Sequence, residues 1–180
     1  VLMSCKWIKF LIKTIKKRFF ILLLCMGFFV SSYSQTFHKI KERVVPVTIS
    51  NELMQRINKD CFHKNKAEII KYSLDTTAEL LSFSIKNNNL GANKHTTANC
   101  IGYAALCKAI SNYAFKINGY SCRSKQAVGY IYIGNINVCK LASNILCGKL
   151  SLFTKNHDVV EFEGKYYDPS LYDYHITLKN

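Results

Sequence analysis

NCIGYAALCKAISNYAFKINGYSCRSKQAVGYIYI, residues 99–133, changes period part-way along, and that change decides the fold. Through Lys116 the apolar residues Ile101, Ala104, Ala105, Ala109, Ile110 and Tyr113 recur at helical spacing. Asn99 suits the cap at the start, and Gly119 supplies a stop. Because its side chains are small, this alanine-rich helix is expected to be buried close to a sheet. From Ala127 to Ile133 the pattern turns towards alternation, which predicts a strand.

Working outward, the elements before this stretch read as helices and those after it as strands. Residues 35–49 form a polar, β-rich lead-in in which Pro46 argues against a helix. Ser50, followed by Leu53, Met54 and Ile57, predicts a short capped helix. A second helix is expected over 67–72. A third is expected after Thr76, where Thr76-x-x-Glu79 has the form of a capping box ahead of Leu80, Leu81, Phe83 and Ile85. Residues 86–91 read as a loop, and 134–150 follow no clear period. Downstream, 152–162 and 165–168 read as strands joined at Glu163-Gly164. Helices first and strands afterwards is the pattern of an α+β domain.

The first 34 residues have a different character. Lys6, Lys9, Lys13, Lys16, Lys17 and Arg18 precede an apolar run from Phe19 to Val30, then Ser32-Tyr33-Ser34. A run of this length is too short to span a bilayer but fits a signal-peptide core, so cleavage before Gln35 is expected. A lipoprotein reading through Cys25 is weaker, because Leu23 and Leu24 stand where small residues are expected. The expectation is therefore a secreted, periplasmic or envelope protein with no stable membrane anchor after cleavage. Residues 35–65 are then a lead-in with a short helix, and 66–180 the main domain.

The leader holds six of the 25 basic residues and none of the 11 acids, which leaves a net charge of +8. Between Leu80 and His157 there is no Asp or Glu but nine Lys or Arg. Such a field attracts anions and favours a thiolate. The basic residues are scattered singly, so an anionic ligand is compatible with them while no specific nucleic-acid module is recognised. A solvated basic surface is the simpler reading. Six cysteines remain beyond the leader: Cys61, Cys100, Cys107, Cys122, Cys139 and Cys147. An oxidising compartment allows disulfides among them, with fifteen connectivities for six cysteines. None has zinc spacing, so neither a metal nor another cofactor is expected.

The stretch NHDVVEFEGKYYDPS, residues 156–170, carries the candidate chemistry. If Glu163-Gly164 is a two-residue turn, Phe162 faces Lys165 and Asp168 lies opposite Val159. Alternation then puts Asp168 on the face of His157, within reach of a carboxylate–imidazole bond. Two residues on a hairpin share a face about half the time by alternation alone. Cys100, in the first turn of the capped helix, is where N–H groups and the helix dipole favour a thiolate. The alternative is that Cys100 is a small buried apolar residue, as most free cysteines are. Cys107, two turns along, illustrates that alternative as a core or disulfide-bonded residue.

Taken together, Asn99-Cys100-Ile101-Gly102-Tyr103-Ala104-Ala105-Leu106, the Gly129-Tyr130 strand, and His157 with Gly164-Lys165-Tyr166-Tyr167-Asp168-Pro169-Ser170 resemble the transglutaminase-like superfamily. The resemblance spans about residues 66 to 175. It implies a papain-like fold with a central Cys-bearing helix packed on an antiparallel sheet, preceded here by N-terminal helices. It implies Cys100 as nucleophile, His157 as general base and acid, and Asp168 as the group that orients the imidazole. The Cys100 N–H is then a candidate oxyanion donor, and His95 is a candidate second one. The implied reaction is thiol-dependent amide hydrolysis or acyl transfer on a peptide or protein substrate, cell-wall-linked peptides included. Bacterial members resemble hydrolases or uncharacterised proteins as often as true crosslinkers, so peptidase or amidase chemistry is the expectation. Family members commonly carry Trp two residues after the His, where this chain has Val159. The alternative that follows is a catalytically inactive binding module on the same fold.

Overall fold

The structure is a computed structural model, and it describes residues 35–84, 96–138 and 156–172. These all lie in the compact unit that runs from Gln35 to Asn180. The expected signal peptide, the 86–91 loop and His95 fall outside the described residues.

β1 (Gln35–Arg43) is followed by α1 (Asn51–Cys61), which starts where expected. Ser50 Oγ accepts from Leu53 N at 3.2 Å, and Leu53, Ile57 and Cys61 recur every four residues on the buried side. α2 (Lys66–Leu80) corrects the sequence reading. The capping box belongs to Asn65 and Glu68, with Glu68 N donating to Asn65 Oδ1 and Asn65 N to Glu68 Oε2. Thr76 starts no new helix and lies buried inside α2. The hydroxyls of Ser73 and Thr77 donate to the Ile69 and Ser73 carbonyls at 2.7 Å, which lets polar residues sit on a buried helix face. Beyond Leu80 the chain is extended. β2 (Leu81–Phe83) pairs in parallel with β3 (Thr96–Ala98), a second small sheet that the sequence pattern did not suggest.

β3 leads directly into α3 (Cys100–Ile117), the central helix. It is buried around most of its circumference from Gly102 to Cys107, and the Tyr103 hydroxyl donates to the Leu81 carbonyl at 2.8 Å. Ile101, Ala109 and Tyr113, assigned to the apolar face from sequence, are only partly buried. At the far end of α3, Asn112 Oδ1 accepts from Ser124 N at 2.7 Å, and Ser111 and Ser124 share a buried hydroxyl contact. That cluster fixes where β4 (Lys125–Ile133) begins.

The main sheet is antiparallel, in the order β1-β4-β6-β7, with the short β5 (Ile136–Asn137) also pairing β4. β6 (His157–Phe162) and β7 (Lys165–Tyr167) form the expected hairpin, and Phe162 faces Lys165. Both turn residues, Glu163 and Gly164, have positive φ, as a two-residue hairpin turn of the I′ type requires. The architecture is thus α+β, with three helices and an antiparallel sheet among the described residues.

Alternation along β6 divides the core into two layers. Val160 and Phe162 pack with the helices, and the Phe162 ring stacks on Phe115 of α3 at 4.7 Å. Val159 belongs to the other layer, with Phe37, Ala127 and Ile131. Each such fully buried apolar side chain contributes about 1.5–3 kcal/mol. The bidentate Arg56–Glu79 pair is half-exposed and contributes less than about 1 kcal/mol, so the apolar layers carry the fold. Gly129 lies between β1 and β6, where a Cβ would stand 2.1 Å from the His38 carbonyl oxygen and 2.6 Å from the Phe37 ring. Only glycine lets β1 approach this closely. Beside it β1 shifts register between Lys39 and Lys41, as at a β-bulge. Among the described residues no helix is long and apolar enough to cross a membrane.

Candidate active site

Three elements converge on one imidazole. Cys100 is the first residue of α3, half-buried, and its position follows from the cap before it. Asn99 is buried, and its Oδ1 accepts from Ile101 N at 3.0 Å and Gly102 N at 3.4 Å. The cap thus satisfies the second and third N–H groups of the helix. The Cys100 N–H, the first of the helix, is not one of the two that this cap satisfies.

His157 opens β6 opposite Gly129 and is 7% exposed. Its Nε2 lies 2.5 Å from Asp168 Oδ2, which leaves Nδ1 for another partner, and Cys100 is near enough to act on the charge of the ring. Asp168 follows β7 immediately and therefore stands opposite Val159, as the hairpin parity requires. Its second oxygen is fully engaged. Oδ1 accepts from Ser170 N at 3.0 Å, Ser170 Oγ at 2.7 Å and Leu171 N at 3.2 Å. Pro169 offers no N–H and fixes φ, so the chain folds back at once and presents the next two N–H groups to the carboxylate.

The charges follow from this geometry. Burial opposes an imidazolium at His157, but the Asp168 charge and hydrogen bond, with those of Cys100, together hold the ring well above the ordinary imidazole range. Burial likewise opposes the Asp168 carboxylate. The His157 charge and hydrogen bond and the Ser170 donors outweigh it and hold the group below the usual carboxylate range. Cys107 shows the contrast: complete burial pushes its thiol up to about 12, which suits a core residue and not a nucleophile. Cys61, Cys100, Cys107 and Cys122 are all free thiols. Among the described residues no group of three His, Cys, Asp or Glu side chains is placed to hold a metal ion.

Comparison with family models, with curated proteins and with solved structures found no match. The functional reading therefore stands on the geometry. That geometry brings together Cys100, His157 and Asp168. Sequence reasoning missed two further polar residues beside the triad, Gln126 and Asp158, both buried and hydrogen-bonded to each other at 2.8 Å. Their signal was a polar residue on the inward side of each strand, where alternation predicts an apolar one.

Proposed function

We propose that this chain is a transglutaminase-like protein of papain-like fold that performs thiol-dependent amide-bond hydrolysis or acyl transfer. The observation that carries the reading is a single buried imidazole bonded to a carboxylate, with Cys100 of the first turn of α3 beside it. In the reaction the Cys100 proton passes to His157 Nδ1, and the sulfur attacks the amide carbonyl. The oxyanion forms near the Cys100 N–H. His157 returns its proton to the leaving amine, the C–N bond breaks, and a thioester remains on Cys100. Water then attacks with His157 as base, releasing the acid and the free thiol; an amine in place of water completes acyl transfer. Asp168 keeps Nε2 protonated and the ring oriented throughout.

Hydrolysis is favoured over crosslinking, and a peptide, free or attached to the cell wall, suits a secreted or envelope protein. The test is labelling by a peptide carrying a thiol-reactive group. Wild type is expected to be labelled at Cys100, and Cys100→Ala not at all; equal labelling of the two overturns the proposal. One observation favours a second reading, an inactive binding module on the same fold. Val159, at the position of the common family Trp, is fully buried in the layer with Phe37, Ala127 and Ile131. Under that reading peptides bind but no acyl-enzyme forms, which mass spectrometry of the intact protein distinguishes.

A further inference from the structure

One polar contact beside the triad has no part in the chemistry above. Gln126 is the second residue of β4, pairs with Val160 and is 1% exposed. Its Nε2 donates to the Ile101 carbonyl at 3.3 Å and to Asp158 Oδ2 at 2.8 Å. Ile101 follows Cys100 in the first turn of α3, and Asp158 follows His157 in β6. One carboxamide thus joins the neighbour of the sulfur to the neighbour of the imidazole.

The chemistry fixes the orientation of this group, since the reversed amide would set Oε1 against two acceptors. In the orientation adopted, Oε1 is buried without a hydrogen-bond partner among the described residues. A methionine would fill the same volume with no orphaned acceptor, so packing stability alone does not account for a glutamine here. Asp158 is equally enclosed, at 1% exposure, and the same Oδ2 lies 3.3 Å from Arg43 Nε of β1. The charged groups facing it are Arg43 and Lys41 from β1 and His157 from its own strand.

We infer that Gln126 is a positioning residue, which holds the first turn of α3 against β6 and so keeps Cys100 within reach of His157. This rests on the triad reading, and its test separates the two. The full chain is treated with iodoacetamide, and the alkylation rate of Cys100 is followed by peptide mapping across pH, with Cys122 as internal reference and the melting temperature recorded. Gln126→Met is expected to slow Cys100 about tenfold near neutral pH, leaving Cys122 unchanged. Asp158→Leu should give the same loss from the other end. Asp158→Asn, which keeps an oxygen for the carboxamide, should restore most of the rate. Wild-type rates in Gln126→Met and Asp158→Leu overturn the inference, and the Asp158 variants decide alone if Gln126→Met does not fold. His157→Ala supplies the separation: a wild-type rate there overturns the triad as well. A slow His157→Ala beside a fast Gln126→Met overturns only the positioning role.

Discussion

Asp168 divides its two oxygens between two tasks, one towards His157 and one towards the turn that follows it. Linkage turns this into a pH dependence of stability. The Asp168 pKa is lowered, so its contribution is complete above the ordinary 3.8 and fades as pH falls through the folded value. The His157 pKa is raised, so its contribution is complete below the ordinary 6.5 and fades as pH rises through the folded value. Both act between those two ordinary values. Asp168→Asn should therefore lose most melting temperature relative to wild type near about pH 5, and the gap should narrow by about pH 9. A gap that is flat with pH contradicts the pairing. At this scale the His157–Asp168 pair was legible, because strand parity alone relates the two once the turn length is known. Gln126 was not legible: the alternating pattern was read from Ala127 onward, which left the glutamine outside the strand that buries it.

Among the elements, α3 depends on its cap more than on its composition. Asn99→Ala removes the acceptor for two N–H groups and should cost about 1 kcal/mol, with a maximum of about 2. It should also slow Cys100 alkylation, whereas Ser50→Ala on α1, at a similar cost, should leave that rate alone. Chemical denaturation and alkylation on the same samples check both. Gly129→Ala is the severe change on β4, since the new Cβ meets the β1 backbone. A loss of about 1–3 kcal/mol is expected, with β1 displaced, and a stability equal to wild type would contradict the packing described. The misread element teaches a related lesson. Thr76-x-x-Glu79 has the letters of a capping box, but a cap exists only where the chain is not already helical. The hydroxyl bonds of Ser73 and Thr77 to the preceding turn let α2 run through. The parallel pairing of β2 with β3 joins residues fifteen apart in sequence, and no local periodicity encodes it.

In the whole molecule, β1 closes one edge of the sheet and brings Phe37 and Arg43 to the layer behind the triad and to Asp158. A chain beginning at Gln35 retains this pairing and should unfold in one cooperative step. A chain beginning at Val44 loses the strand, uncovers β4, and should melt lower with weaker Cys100 labelling; matching melts would show that β1 is dispensable. The layered α+β plan was legible from the order of elements, while the strand order was not, because it depends on which faces bury one another. The turn after Asp168 has a further consequence for anyone re-engineering this protein. The acid is locked by the three residues that follow it and the imidazole by strand register, so neither needs adjusting when the helix is moved. The seat of α3 is then the one coordinate left to tune. A side chain wedged between its first turn and Asp158 would act as an off switch, and a group that binds in that wedge would make the switch reversible.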